Sequence, residues 1–300
     1  RENRGGTLVS LVYGKVVAEH LDPIEKKPLF HVHPGSTSYS IATVGCNFRC
    51  RHCQNYAISQ VEPGMAIPGT PRTPAEIVER AVESRARSIA YTYTEPTIFY
   101  EFALDTARLA REQGLLNVFV TNGYISPEPL AEIAPVLDAA NIDLKGFSDR
   151  FYREIVGARL PEVLESIVAY RRLGIWLEIT TLIIPGLNDA EEELKGIADF
   201  IVQNLGADTP WHVSQFYPTY KLTDRGRTPV ETLRLARDIG LARGLRYVYE
   251  GNVPGEGGEN TSCPSCGRVV VERYGYRIVA NRLSGGNCGE CGAAIAGLEL

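Results

Sequence analysis

From about residue 37 to residue 250 the chain alternates short β-rich runs with longer helical stretches, and this restricts the folds open to it more than any other feature. The β-rich runs are Tyr39–Val44, Ser88–Thr92, Asn117–Thr121, Asn141–Lys145, Trp176–Ile183, Trp211–Phe216 and Arg246–Tyr249. The segments between them are amphipathic. In Pro96–Gln113, Phe99, Phe102, Ala103 and Ala110 recur at helical spacing, Pro96 suits a first turn and Gly114 marks the stop. Such alternation implies parallel strands joined by right-handed crossovers. Six or so units are too few to close an eight-stranded barrel, so an α/β fold with a partial, open (β/α)6 barrel over 37–250 is expected. Residues 1–36, broken by Gly5-Gly6, Pro23, Pro28 and Pro34-Gly35, read as an extended or hairpin arm with strand-like Leu8–Val12 and Lys15–Ala18. Gly251–Gly258 is a Gly/Pro-rich linker opening a small C-terminal module over 251–300.

In parallel α/β barrels the chemistry sits at the carboxyl ends of the strands. The informative residues follow the strands in order: Cys46, Cys50 and Cys53, then Glu95, then Thr121-Asn122-Gly123, then Asp143 and Lys145. The triplet has the spacing C-x3-C-x2-C. Four thiolates usually fill the coordination of a cubane iron–sulfur cluster. Three hold one and leave a corner of one iron open to a small molecule. The alternative is structural zinc with His52 as fourth ligand, although adjacent His52 and Cys53 have difficulty reaching one tetrahedral ion together with Cys46 and Cys50. Glu95 also suits a first helical turn, where the dipole favours an acid. Asp143 and Lys145 fall on one side of a strand. They face either a ligand or only each other, since charges rarely enter a core unpaired. Tyr91, Tyr93, Tyr124 and Tyr217 read equally as pocket walls or core aromatics, and His20, His31, His33 and His212 form no ligand pattern.

The seven cysteines fall into two groups with none left for an isolated disulfide. The second, Cys263, Cys266, Cys288 and Cys291, is C-x2-C-x21-C-x2-C with a glycine after each pair and strand-like Arg268–Glu272 and Tyr276–Ala280 between. This is the layout of a zinc ribbon, and zinc or another single tetrahedral metal is its most direct reading. An auxiliary iron–sulfur cluster is the alternative. The module would cap the barrel's open end, bind a partner or relay electrons. Clustered pairs without an export signal point to metal ligands in a reducing cytoplasm. The 44% hydrophobic content is enough for a sizeable core, and the net charge of −5, with acids and bases interspersed, argues against a general nucleic-acid binder. No apolar run is long enough for a membrane helix.

Gly45-Cys-Asn-Phe-Arg-Cys-Arg-His-Cys-Gln-Asn55, with Asp22-Pro-Ile-Glu-Lys-Lys-Pro-Leu-Phe-His31, Tyr91-Thr-Tyr-Thr-Glu-Pro-Thr97 and Thr121-Asn-Gly123, resembles the radical S-adenosylmethionine (SAM) enzyme of the AmmeMemoRadiSam system, a group similar to pyruvate formate-lyase activating enzymes. The resemblance implies a [4Fe-4S] cluster on Cys46, Cys50 and Cys53 whose open iron chelates SAM. It implies that His52 and Asn55 lie near the adenine, that Glu95 holds the SAM amino group, and that Asp143 and Lys145 meet its carboxylate and ribose. Thr121 and Asn122 belong to the same cofactor site. The turn Ile184-Pro-Gly-Leu-Asn-Asp189 would lie beside the adenine through its backbone, or serve only as a turn. Four positions depart from the wider pattern. Tyr93 and Thr94 replace two glycines before Glu95, Val120 replaces an aspartate of a cation site, and Tyr220 replaces a histidine. The chain opens at Arg1 rather than Met, and relatives of this group commonly carry a further cysteine-rich stretch before that point, so an upstream metal site is expected.

The functional expectation is therefore reductive cleavage of SAM to a 5′-deoxyadenosyl radical that abstracts hydrogen from a substrate, with electrons from a flavodoxin or ferredoxin. A glycyl-radical activase acting on a partner protein is the alternative within that class. A non-catalytic metal-binding scaffold, with the ribbon as recognition module, is the alternative outside it.

Overall fold

The computed structural model describes Arg1 to Leu300 except Pro63. Eight strands form one sheet in sequential order: β1 (Ala18–Pro23), β2 (Thr37–Ala42), β3 (Ser88–Tyr91), β4 (Leu116–Thr121), β5 (Ala139–Asp143), β6 (Trp176–Ile183), β7 (Trp211–Gln215) and β8 (Val248–Gly251). Neighbours from β2 to β8 are parallel, and β1 is antiparallel to β2. No pairing among the described residues joins β8 back to β1, so the barrel is open.

The partial α/β barrel is thus as expected, its seven parallel strands matching the seven β-rich runs, with one correction: the N-terminal arm supplies β1. Polar Glu19, His20 and Asp22 hide β1 in the sequence, yet an edge strand tolerates such residues and a terminal proline. The expected hairpin lies earlier, between Glu2–Arg4 and Thr7–Val9, while Lys15–Val16 pairs with Thr70–Pro71.

Among the described residues six α-helices of seven or more residues lie between successive strands: α1 (Pro74–Glu83), α2 (Tyr100–Glu112), α3 (Pro127–Ile133), α4 (Leu160–Arg172), α5 (Glu191–Asn204) and α6 (Val230–Ala242). Thr73 and Glu76 form a reciprocal capping box at the start of α1. Strand alternation sends Ile89, Phe119, Ile142, Ile179 and Trp211 into the main core with the helices. The opposite face of the strands carries small or polar residues such as Ala90, Val118, Thr180 and Ser214. Ile24, Leu29 and Val32 pack on Ala90, Val118 and Ala139 and fill one end of the barrel interior. The small residues beyond this plug leave the interior hollow.

The C-terminal module holds β9 (Val269–Tyr274) antiparallel to β10 (Arg277–Asn281). Its turn is Gly275-Tyr276, so Tyr276 leaves the expected second strand for the turn. The module docks on the barrel through a cluster of Phe30, Tyr247, Tyr249, Val270 and Val271. Among the described residues no helix is long and apolar enough to cross a membrane.

Candidate functional site

Gly45 begins the cysteine loop with φ +108°, a conformation that disfavours any residue with a side chain. The loop then alternates. Phe48, Cys50 and His52 turn into the barrel, whereas Arg49 and Arg51 are exposed. Its back is held by Arg49 N donating to Val156 O at 2.9 Å and Arg51 N to Ile155 O at 2.9 Å. Gly157, at φ +78°, is needed there, because a Cβ would come within 3.3 Å of Arg49 Cβ.

Cys46, Cys50 and Cys53 all line one cavity of about 490 Å³ inside the barrel, a volume typical of cofactor and substrate sites. The same cavity is lined by His52, Asn55, Glu95, Thr121, Asn122, Asp143 and Lys145, so the structure brings these ten residues together. The three thiols are not gathered onto one point. Among the described residues the ribbon's cysteines alone form a set of three or more ligand groups within 4.8 Å. The triplet with His52 therefore lacks the geometry of a single tetrahedral ion, and its spread fits a ligand set distributed over the corners of a cluster.

Burial, followed by the Glu95 carboxylate, pushes the Cys46 thiol up to about 12, and burial pushes Cys50 up to about 11. A bound metal centre reverses that logic by stabilising thiolates. The surroundings also donate toward sulfur: Phe48 N lies 3.3 Å and Asn122 Nδ2 3.6 Å from Cys46 Sγ. The donor set, the spread and the cavity together fit a [4Fe-4S] cluster with a ligand beside it.

Glu95 is buried to 1% exposure and accepts from Thr121 Oγ1 at 2.8 Å, Asn122 N at 2.9 Å and Thr97 N at 3.2 Å. It caps the 3-10 turn Pro96–Phe99 and also lines the cavity. Burial raises its pKa against those donors. Lys145 Nζ lies 3.0 Å from Asp143 Oδ2. Burial works against the Lys145 charge, but Asp143 and the Cys50 sulfur outweigh it and lift its pKa. His52 is not an exposed loop histidine. It is buried beside Phe151, Nδ1 has no partner, and burial followed by Lys145 draws it down to about 3. Asn55 is exposed and donates to Tyr93 O at 2.8 Å.

The Ile184–Asp189 turn does not reach the cavity wall. Asn188 Nδ2 donates to Lys145 O at 2.7 Å and its Oδ1 accepts from Ile184 N at 2.6 Å, holding the ends of β5 and β6 together. Tyr91 is a core residue bonded to Asn117, Tyr93 lines the cavity and donates to Asp22, and Tyr217 is exposed. Val120 lines the cavity with no charge to offer a cation, and Tyr220 stacks on Tyr56.

Sequence reasoning missed the opposite wall. Glu178 on β6 is fully buried and accepts from His212 Nε2 at 2.7 Å, His31 N at 2.8 Å, Phe30 N at 3.0 Å and Trp176 Nε1 at 3.3 Å. Burial opposes its charge, but His212 and His31 outweigh that and hold its pKa below the ordinary range. His212 also lines the cavity. Lys27, also in the wall, is paired with Asp22 at 2.6 Å and sits 4.5 Å from the Tyr93 ring centroid. A Glu in the middle of an otherwise buried strand was the available signal.

In the ribbon, Cys263 Sγ lies 3.7 Å from Cys291 Sγ and Cys266 Sγ 3.8 Å from Cys288 Sγ, well beyond a disulfide bond. The set is closed with four sulfurs and suits one tetrahedral metal. Arg273 of β9 reaches back to donate to Phe30 O at 2.9 Å and lies 3.7 Å from Glu25, while Tyr276 lines the cavity.

An open parallel barrel with three thiols and buried charges at its strand ends defines a class of cofactor-dependent enzyme. The family model described as "Radical SAM superfamily" matches residues 40–201, and the chain belongs to that superfamily. It is therefore a radical SAM enzyme, and the family implies a [4Fe-4S] cluster and SAM. An uncharacterized protein of Methanocaldococcus jannaschii is 50% identical over 98% of this chain and 88% of its own length. The pyruvate formate-lyase-activating enzyme of Clostridium pasteurianum is 24% identical over 54% of this chain and 67% of its own length. A radical SAM methyltransferase from Sphaerobacter thermophilus has the same fold, with a TM-score of 0.55 and 21% identity, covering 73% of this chain and 67% of that one.

Proposed function

We propose that Cys46, Cys50 and Cys53 hold a [4Fe-4S] cluster with one open iron, and that the chain uses it to abstract hydrogen from a substrate in the same cavity. When bound, the cluster supplies the electron that cleaves SAM to a 5′-deoxyadenosyl radical. The observation that carries this reading is the shared cavity: three spread thiols stand beside a buried carboxylate and an Asp–Lys pair. Glu95 receives the SAM ammonium, a charge-assisted bond that is strong and directional. Asp143 and Lys145 orient the carboxylate and ribose, His52 and Asn55 flank the adenine, and Thr121 and Asn122 hold Glu95 in place. The buried walls exclude water from the reacting atoms.

Incubating anaerobically reconstituted protein with dithionite and SAM tests the proposal. Formation of 5′-deoxyadenosine is expected, and a fully loaded cluster that yields none sinks it. The resemblance to a pyruvate formate-lyase-activating enzyme supports a second reading within the class, a glycyl radical raised on a partner protein. The ribbon is read as a zinc site that holds part of the cavity wall, with metal analysis of the purified protein as its check.

A further inference from the structure

The outer face of the cysteine loop is built differently from its inner face. Arg49 and Arg51 flank Cys50 and are exposed. Lys221 joins them: its N–H donates to Arg51 O at 3.0 Å, and Arg51 Nη2 reaches Lys221 O at 3.5 Å. Beside them Tyr56, 43% exposed, stacks on Tyr220 with centroids 4.7 Å apart, and Lys221 Nζ sits 5.0 Å from the Tyr220 ring. Most basic side chains of this acidic protein are ion-paired, but none of these three bases has a carboxylate partner among the described residues. Asp224, close enough to feel the Arg51 charge, is ion-paired with Arg225 at 3.3 Å. The result is an exposed tyrosine stacked on a half-buried one and bordered by positive charge without a carboxylate partner, the composition of a protein-docking centre.

None of these residues lines the cavity. A substrate must reach the cavity interior, so this face does not serve it. What the face does have is proximity to the thiols, since a single chain segment separates Arg49 and Arg51 from Cys50. Only electrons need to cross that layer.

We propose that Arg49, Arg51, Lys221 and the Tyr56–Tyr220 stack form the docking site of a small acidic electron-carrier protein. The proposal rests on the radical SAM reading of the triplet. Positive charge here steers an acidic carrier to the one face behind the cluster, on a chain whose net charge of −5 repels it elsewhere.

The test is 5′-deoxyadenosine formation by the reconstituted holoenzyme, driven either by a reduced acidic ferredoxin or by dithionite. For the ferredoxin, kcat/KM should fall roughly tenfold as salt rises from about 0.05 M to about 0.3 M. The triple reversal Arg49→Glu, Arg51→Glu, Lys221→Glu should lower it by roughly 10–100-fold and leave the dithionite rate within about twofold. A ferredoxin rate untouched by the reversal, or a wild-type enzyme that ferredoxin cannot drive, overturns the docking site. If the reversal also lowers the dithionite rate, the single reversal Lys221→Glu, outside the cysteine loop, decides. A fall in the ferredoxin rate alone upholds the proposal, and a ferredoxin rate that stays at the wild-type value, or falls only together with the dithionite rate, overturns it. A wild-type protein that makes no 5′-deoxyadenosine with dithionite fails at the earlier step, the radical SAM reading itself.

Discussion

The two cysteine groups of this chain meet opposite surroundings. Cys263, Cys266, Cys288 and Cys291 sit in a small module at its edge, drawn within 4.8 Å of one another. Cys46, Cys50 and Cys53 are one thiol fewer, spread along a loop, and open onto a cavity shared with Glu95, Asp143 and Lys145. Four sulfurs close a coordination sphere and leave a metal nothing to do but hold the fold. Three sulfurs beside a hollow leave room for a reactant. The difference lies less in the cysteine motif than in what the neighbouring strands bring to it.

The largest expected effect separates the two groups outright. Cys50→Ala should reduce 5′-deoxyadenosine formation to background while the ribbon metal, measured by elemental analysis, stays at wild-type occupancy. Cys266→Ser should do the converse: the brown cluster absorbance remains, and the protein loses the ribbon metal with roughly 5–10 °C of Tm. If either variant empties both sites, the two groups are not independent and the contrast fails. Within the open site, Glu95→Gln should raise the KM for SAM by about 10–100-fold, the worth of one charge-assisted hydrogen bond, with cluster content unchanged.

The cavity wall offers a test by pH. Burial would raise the Asp22 pKa, but Lys27, Tyr93 and Lys26 outweigh it and hold the carboxyl well below the ordinary range. A carboxyl depressed in the folded state adds stability that is present above its unfolded pKa of about 4 and lost as pH falls toward the folded value. Asp22→Asn should cost about 3–5 kcal/mol at neutral pH, because Lys27 is left buried without its partner. In urea titrations this gap should narrow steadily below about pH 4. A gap constant with pH would show that Asp22 acts through packing alone. The smallest effect is expected at His212. His212→Gln should change dithionite-driven SAM cleavage by less than about twofold, since that side chain bonds to Glu178 and to none of the cysteines, Glu95, Asp143 or Lys145.

The strands and the cysteine, Glu95 and Asp143–Lys145 positions were legible because each lies in a local pattern: a β-rich run, or a fixed spacing within a few residues. β1 was not, since Glu19, His20 and Asp22 erase its alternation and only pairing with β2 defines it. The Glu178–His212 contact was not legible either. Its partners are far apart in sequence and meet only because Thr180 registers with His212 between β6 and β7. Lys27 lies within a quoted motif, but nothing local says that the segment folds into the barrel. The basic outer face of the loop depends on which way alternate residues point, and that is fixed by the backbone bonds to residues 155 and 156.

No ladder joins β1 to β8 among the described residues. The segment after β1 is instead tied to β8 and to the C-terminal module by side chains: His31 Nε2 and the Tyr249 hydroxyl lie 2.6 Å apart, and Arg273 holds Phe30 O. The open side of the barrel is therefore latched by contacts in which only Tyr249 belongs to a parallel strand. Lengthening one hairpin or trimming one latch would resize the chamber for a bulkier or slimmer guest, with the cysteine loop and the strands that carry it left as they are.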